Sequence, residues 1–360
     1  MVKVTFLIGN GFDLNLGLKT TYSHFWEEYK EVKKDDTEII KWFKTEVLKD
    51  KELWSAAEEA FGECTSNFAK EKYNAEDFCE CHENFCRELA KYLHLQENRV
   101  EYDKTTPELI NRFKEGFENY FSGFRDAKKS EILKYVDSVS QGISYNFVSF
   151  NYTEVIDKLV EIIKKRPGVL SKRRVGHNVH ENAMGQVLHV HGTIYDDMVL
   201  GVNDETQISD KSIFDGYGSE YMDQLIKFNS NQYNERYTDE RVFNLLKESD
   251  VIYIYGMAIG KTDALWWKRI CDLMISRKTL RIIIHKYNAP TDELIRRGFI
   301  TYSKKCRQEI MSYCELAEEE KKEIESRIFI DRTNILSCIE GFAKEEIEDC
   351  EKDLSEEGSV

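Results

Sequence analysis

The chain of 360 residues has no apolar run approaching the ~20 residues that cross a membrane as a helix. It also lacks a hydrophobic signal segment after Met1, because a strand-like segment and a glycine-rich turn begin at once. We therefore expect a cytoplasmic protein without a membrane partner. Hydrophobic residues make up 41% of the chain, enough to bury one large core or two smaller ones.

Cys-x-x-Cys pairs are absent, although the chain contains nine cysteines. Their absence excludes a zinc ribbon built from such pairs. Three cysteines and a histidine fall within residues 79–86 and could bind a metal. Their helical spacing and the expected compartment favour reduced, partly buried thiols instead. We expect no metal.

Positive charge is in deficit, with 51 Lys and Arg against 66 Asp and Glu, a formal net charge of −15. This acidic balance argues against a nucleic-acid partner. One segment, residues 164–174, breaks the pattern with six positive charges in eleven residues. We expect it to be a solvated loop, and docking of a nucleic acid or a phosphorylated activator is the alternative.

Glycine is concentrated just after the first apolar segment. Residues 2–8 have the pattern of a strand, and Gly9, Gly11 and Gly17 follow it. The first glycine allows a sharp turn, and the second lets the backbone approach a pyrophosphate whose charge meets free N–H groups of the next helix. The dinucleotide fingerprint requires glycine where Leu14 stands, so an ordinary dehydrogenase is disfavoured. A plain strand-to-helix turn is the alternative.

Further strand-like segments follow at residues 145–148, 186–190, 251–255 and 280–285. Three of them end at residues suited to a binding site, namely Asn151, His191 and Gly256. In open α/β sheets, ligands bind at the carboxyl ends of the strands. The sequence therefore predicts an α/β, three-layer, Rossmann-like parallel sheet with a ligand site at these ends.

The remaining segments have helical periodicity. Residues 21–140 predict an inserted helical subdomain that cups the ligand from one side, and residues 206–248 predict a second excursion of helices or loops. We place a nucleotide-binding domain at residues 1–20 and 141–290. Residues 291–360 are predicted to form a helical C-terminal region with an acidic tail.

The combination of motifs resembles a known family. The segments Ile8-Gly9-Asn10-Gly11-Phe12-Asp13-Leu14, Gly17-Leu18-Lys19-Thr20 and Ser149-Phe150-Asn151-Tyr152 closely resemble the bacterial abortive-infection AbiH family. The order of glycine turn, Asn-Tyr strand end, His-Gly and strand-end glycine is similar to the sirtuin-type nucleotide-binding fold. These motifs span most of residues 1–287, although only about thirty positions match. Their order along the chain fits the α/β pattern expected of a nucleotide-binding domain.

The resemblance implies that the protein binds NAD as substrate and cleaves its nicotinamide glycosidic bond, halting growth of phage-infected cells. Asn151 matches the asparagine that orients the ribose and the attacking water. His191 matches the histidine that acts on the ribose hydroxyls as general base. The implied cofactor-binding residues are Gly9, Asn10, Gly11, Phe12, Asp13, Gly17, Thr20, Gly256 and Asp263.

Three positions depart from the sirtuin pattern. Asp13 stands where a small hydroxyl residue is common, Lys19 replaces a common proline, and Tyr22 falls where an arginine is expected. Because a carboxylate would repel a pyrophosphate, we expect Asp13 to cap the following helix, bind a ribose hydroxyl or help to hold water. Asp204 is a similar candidate, and Asp263 is also interpreted as an N-terminal helix residue.

The residue types suit this chemistry. Nicotinamide already carries a positive charge in NAD and leaves through an oxocarbenium-like state without a general acid. An amide can orient a water or a hydroxyl, and an imidazole can take a proton near neutral pH. The alternative for Asn151 or Thr153 is a cap of a helix over residues 154–165. His189 and His191 have a spacing seen in metal sites, but no neighbouring Cys or acidic residue in the sequence completes a ligand set.

Regulation and two other functions remain open. Because uncontrolled NAD loss would kill the host, we expect the resting protein to be inhibited by homo-oligomer packing, by a regulatory partner chain or by the lack of a phage-derived trigger. The alternatives to hydrolysis are a sensor that binds NAD or ADP-ribose without cleaving it, and an ADP-ribosyl transferase acting on protein or nucleic acid.

Overall fold

The computed structural model describes residues 1–54, 56–166, 168–233, 238–260, 263–287, 296–313 and 317–344. Its strands are β1 Val2–Ile8, β2 Ile143–Ser149, β3 Lys172–Val175, β4 Asn178–Glu181, β5 Ala183–His189, β6 Val251–Tyr255, β7 Arg281–His285 and β8 Ile328–Asp331. Its first nine α-helices are α1 Gly11–Asn15, α2 Tyr22–Tyr29, α3 Glu38–Trp42, α4 Lys51–Trp54, α5 Ala57–Glu71, α6 Ala75–Glu97, α7 Tyr102–Glu118, α8 Asp126–Ser138 and α9 Val155–Lys164. The others are α10 Glu220–Asp223, α11 Lys227–Tyr233, α12 Thr238–Glu248, α13 Ala264–Ser276, α14 Arg296–Met311 and α15 Glu318–Glu325.

A six-stranded parallel sheet lies at the centre, in the order β5-β2-β1-β6-β7-β8. Val4 of β1 pairs with Tyr145 of β2 on one side and with Val251 of β6 on the other. The chain leaves β1 toward one edge of the sheet and later returns beside it toward the other edge. This topology creates a switch point at the carboxyl end of β1, where open α/β sheets bind ligands.

Helices cover both faces of the sheet, which confirms the predicted three-layer α/β class. One apolar core joins α7, α8 and α9 to the face that carries Phe6, Phe147 and Tyr253. The Phe6 and Phe147 rings stack with their centroids 5.2 Å apart. On the opposite face, helices α12, α13, α14 and α15 share an apolar core with Leu7 and Ile252 of the sheet. Strands buried on both faces explain why their sequences are nearly continuous apolar runs.

Local signals set the start of several helices in the insertion. The side chains of Thr21 and Thr37 accept hydrogen bonds from backbone N–H groups in the first turns of α2 and α3. Asn74 and Asp77 form a reciprocal capping box at the start of α6. These side chains satisfy backbone donors that have no partner inside the helix.

The helical insertion packs as two parts. Helices α2 to α6 share an apolar core with the segment 200–226, and Tyr152 connects that core to the turn after β2. Helices α7 and α8 pack on the sheet instead. The sequence predicted the helical insertion and the later excursion as separate segments, and the structure packs them around one shared apolar core.

The C-terminal region contributes a strand as well as helices. β8 pairs in parallel with β7, with Phe329 opposite Ile283, so the sheet extends past the predicted domain boundary at residue 290. This four-residue strand was missed because it is short and follows a highly charged helix. The acidic tail predicted beyond residue 344 lies outside the described residues. No helix of the described chain has both the length and the apolar character needed to cross a membrane.

The basic segment is partly structural, and the expectation of a solvated loop is wrong for Arg173. That residue lies in the β3–β4 hairpin, and its side chain is only 11% exposed. Its guanidinium donates to the carbonyl groups of Val136, Val139 and Gln141. These bonds satisfy acceptors at and beyond the C-terminus of α8. Pro167 of the same segment lies outside the described residues.

We predict that Arg173→Ala lowers the free energy of unfolding by about 1.5–3 kcal/mol, because several carbonyls lose a charged donor. Arg174→Ala, at the adjacent exposed position, is the matched control and should change stability by no more than about 0.5 kcal/mol. Urea unfolding followed by circular dichroism measures both. Equal stability of the two variants would contradict the structural role of Arg173.

Candidate functional site

A cavity of about 230 Å³ lies at the carboxyl ends of β1, β2 and β6. We call it the first cavity. Turns that follow these strands line one side, and side chains of the helical insertion line another. The predicted site residues in its lining are Gly9, Asn10, Asp13, Thr20, Asn151, Gly256 and Asp263.

The glycine turn after β1 packs directly against the turn after β6. The N–H of Gly9 donates to the Tyr255 carbonyl and the N–H of Gly11 donates to the Gly256 carbonyl, each at 2.9 Å. A Cβ on Gly11 would lie 2.5 Å from the Gly256 Cα. Gly256 has φ +67°, a conformation that favours glycine. Close contact between the two turns thus requires these glycines, and the two N–H groups are already bonded within the protein.

Asn10 and Thr20 hold the two ends of the glycine-rich segment together. The Thr20 hydroxyl donates to Asn10 Oδ1 at 2.5 Å, and Asn10 Nδ2 donates to the Thr20 carbonyl at 3.2 Å. Both side chains face the first cavity while bonding one another. Their polar atoms therefore form a preorganised wall of the cavity.

Asp13 is the central buried carboxyl group of the first cavity, with an exposed fraction of 1%. Its Oδ2 accepts a hydrogen bond from the Thr153 hydroxyl at 2.7 Å, and the Asn151 side chain also bonds the carboxylate. Oδ1 has no hydrogen-bond partner among the described residues. Burial raises the pKa of Asp13 to about 7, against the effect of these hydrogen bonds. One oxygen of this buried carboxyl group is thus left without a hydrogen bond among the described residues.

The structure does not use Asn151 or Thr153 as the cap of α9, so that alternative is wrong. The helix begins after Glu154, whose side chain makes no capping bond. Thr153 and Asn151 instead direct their side chains to Asp13. The turn after β2 therefore lines the first cavity and does not cap α9.

His191 lines a second cavity, of about 710 Å³, that shares Asp263 with the first. The imidazole is buried and packs edge-on against Phe150, with ring centroids 5.8 Å apart. Its Nε2 lies 3.6 Å from Asp263 Oδ1, and its Nδ1 has no partner among the described residues. The two predicted catalytic residues, Asn151 and His191, therefore line adjoining cavities.

Three predicted cofactor-binding residues occupy other positions. Within the described chain, Gly11, Phe12 and Gly17 are not among the residues that line either cavity. Phe12 is fully buried in the core beneath the sheet, and Gly17, with φ +90°, lies near Gly341.

Sequence reasoning missed a polar cluster contributed by the insertion. Glu58 accepts hydrogen bonds from the hydroxyls of Tyr22 and Tyr152 at 3.4 and 3.3 Å, and Lys227 donates to it at 2.7 Å. Tyr22 attracted attention only as a departure from an expected arginine. Glu58 lies within an amphipathic helix, and no local signal distinguishes it from a solvated glutamate.

The two cavities differ in charge. Asp13, Glu58 and Asp263 line the first, and its described lining contains no Lys or Arg. The second contains Lys227, Lys268 and Arg269 together with the acidic residues Asp204, Glu205, Asp239 and Asp263, so the cavities differ in their basic residues and not in the presence of acidic ones. Lys261, adjacent to the site in sequence, lies outside the described residues. No group of three potential metal ligands occurs in the part of the chain that the structure describes.

The sequence model of the family described as Bacteriophage abortive infection AbiH matches residues 5–285. The match covers well over half of the 360 residues and spans the sheet from β1 to β7. The chain therefore belongs to the AbiH family. Comparisons with curated proteins and with solved structures gave no significant match, and the likeness to the sirtuin-type fold stays a prediction.

We predict that Gly11→Ala lowers the free energy of unfolding by about 1–3 kcal/mol, because the new methyl group would overlap the backbone of Gly256. Gly218→Ala is the control, since its Cβ would meet only the movable end of Glu220. Thermal and urea unfolding compare the variants. A Gly11→Ala protein as stable as wild type would show that the two turns can separate freely.

We predict that Asp13→Asn stabilises the protein at pH 8. With a pKa of about 7 in the fold against 3.8 in an unperturbed aspartate, the favourable contribution of Asp13 is complete below pH 3.8 and is lost as the pH rises through 7. An amide cannot ionise, so the variant should exceed wild type by about 1–4 kcal/mol at pH 8 and by less at pH 5. Urea unfolding at both values, with exposed Asp215→Asn as control, measures the difference. A difference independent of pH would refute the buried titration.

Proposed function

Starting from membership of the AbiH family, we propose that this abortive-infection protein hydrolyses NAD to ADP-ribose and nicotinamide. One observation carries the proposal. Two adjoining cavities at the carboxyl end of the sheet are each lined by a residue with a buried polar atom that has no partner among the described residues, Asp13 Oδ1 and His191 Nδ1. Such atoms are costly to bury unless a ligand or water satisfies them.

The proposed roles follow from the groups that each cavity offers. Asp13 and Asn151 would hold a ribose hydroxyl or the attacking water, since their oxygens and amide can accept and donate. The C–N bond of NAD breaks with its electron pair leaving on nicotinamide, and water adds to the ribose carbon and loses a proton. His191 would accept that proton or one from a ribose hydroxyl through Nδ1.

The distribution of basic side chains between the two cavities supports an orientation for NAD. The carboxyl groups of Asp13, Glu58 and Asp263 favour a cationic or neutral group in the first cavity, which suits the nicotinamide riboside half. Lys268 and Arg269 line the second cavity together with Asp204, Glu205 and Asp239, and these two cations would receive the diphosphate. In this orientation the reacting bond lies near the boundary that Asp263 shares between the cavities.

A sensor that binds NAD or ADP-ribose without cleaving it is the second candidate. The observation that favours it is the placement of Asn151 and His191 in different cavities. A binding protein can use two adjoining cavities without aligning these side chains on one bond. Product analysis separates the two functions, because hydrolysis releases nicotinamide and ADP-ribose whereas a sensor releases neither.

We predict that Asn151→Ala and His191→Ala each reduce NAD hydrolysis on the order of 10²-fold or more, because each removes a positioned group. Asn178→Ala and His177→Ala, at exposed hairpin positions, are the matched controls and should retain wild-type turnover. Chromatography of NAD, ADP-ribose and nicotinamide is carried out on purified protein and on extracts of phage-infected cells.

The infected cells supply any trigger that the purified protein lacks. Protection of these cells without loss of NAD would overturn the proposal. Transfer of ADP-ribose to a macromolecule would identify a transferase instead. If His191→Ala hydrolysed NAD normally in protected cells, the role assigned to His191 would be wrong.

A further inference from the structure

His189, the last residue of β5, makes two hydrogen bonds that together define its charge. Its Nδ1 lies 2.9 Å from the carbonyl oxygen of Asn151, and its Nε2 lies 2.7 Å from Asp157 Oδ2. Both partners are acceptors when Asp157 is ionised. A neutral imidazole has only one N–H, so making both bonds requires the doubly protonated imidazolium.

The surroundings favour that cation. Burial alone would lower the pKa of His189, but the hydrogen bond and negative charge of Asp157 outweigh it and raise the pKa. Glu154, just before α9, adds a further favourable charge, and Asp13 on α1 also interacts with the imidazolium. The carbonyl of Asn151 contributes in the same direction.

The imidazolium acts on the backbone of the turn that carries Asn151. The backbone N–H of Asn151 donates to Ser149 Oγ at 3.2 Å. The Asn151 backbone is therefore held from both β5 and β2. Fixing it in this way sets the direction in which the Asn151 side chain reaches Asp13 in the first cavity.

We propose that His189, charged and held by Asp157, is a positioning residue that fixes the Asn151 backbone and so aims the Asn151 side chain at the ligand. The ligand part of this inference rests on the proposed function, whereas the charge and the backbone contact do not. When the pH rises through the pKa of His189, one of the two bonds is lost. With the remaining proton on Nε2 toward Asp157, Nδ1 turns a lone pair toward the Asn151 carbonyl, which then keeps only the longer hydrogen bond from the Ser149 hydroxyl at 3.4 Å.

Two amide substitutions separate the two bonds. The amide nitrogen of Asn reaches the position of Nδ1, and that of Gln reaches the position of Nε2. His189→Asn should therefore keep the bond to the Asn151 carbonyl and lose Asp157, and His189→Gln should do the reverse. If His189 only filled space, His189→Gln would not disturb the Asn151 backbone more than His189→Asn does.

Hydrogen exchange by mass spectrometry on the full chain reads the backbone directly. In the peptide covering residues 149–154, His189→Gln should exchange about tenfold faster than wild type, as expected for one lost hydrogen bond of ordinary strength. His189→Asn should remain within about threefold. Equal exchange in the two variants would overturn the inference.

Nitrogen-15 NMR of histidine-labelled wild-type protein tests the charge. Both ring nitrogens of His189 should carry protons at pH 6, and Asp157→Asn should move the loss of one proton to lower pH because the attracting charge is removed. A neutral His189 ring at pH 6 in wild type would overturn the inference. This measurement remains decisive if an amide variant fails to fold.

Calorimetry with ADP-ribose connects the contact to the proposed site. His189→Gln should weaken binding about tenfold and His189→Asn less than about threefold, and wild-type affinity should decline at pH values above the pKa of His189. If ADP-ribose fails to bind wild type, the proposed function fails while exchange and NMR still decide the role of His189. If ADP-ribose binds both variants with the affinity of wild type, the inference that His189 positions the ligand-binding side chain is refuted.

Discussion

The contact between the turns at Gly11 and Gly256 is the constraint on which the rest of the site depends. These turns follow neighbouring central strands, and the N–H of Gly11 donates to the Gly256 carbonyl. Because either turn with a side chain would overlap the other, the strand ends can approach only as glycines. This approach brings Asp13, on the helix after the first turn, beside the turn that carries Asn151. A motif that resembles a phosphate loop thus has a packing function of its own.

Around that contact lies a group of polar side chains that are largely buried, except that Asp157 is partly exposed. Asp13 is joined to Thr153 and Asn151, and His189 joins the Asn151 backbone to Asp157. Buried polar groups cost stability unless each has a partner, so this network restricts the turn after β2 to one arrangement. Asp13 Oδ1, which has no partner in the described part of the chain, is the exception among them. Removal of the carboxyl group from water is the main cause of its raised pKa.

The helical insertion closes the site through chemistry as well as shape. Glu58 on α5 receives hydrogen bonds from Tyr22 on α2 and from Tyr152 in the turn after β2, while Lys227 pairs with it from the second excursion. Four separate segments of the chain therefore meet at one carboxylate. Because this ion pair is largely buried, removing either partner would leave an uncompensated charge. The pair thereby couples the insertion to the wall of the first cavity.

The sequence by itself determined the parallel α/β class and the strand ends that carry Gly9, Asn151, His191 and Gly256, because continuous apolar runs and polar strand ends are local patterns. It also identified the family, through motifs that the match over residues 5–285 confirms. Only the tertiary structure decided that Asn151 and His191 line adjoining cavities, that Glu58 belongs to the site, and that β8 completes the sheet. The bonds of His189 to Asp157 and of Arg173 to the end of α8 were equally hidden. These outcomes depend on pairings between residues distant in sequence, and burial, not residue type, sets their charges and partners.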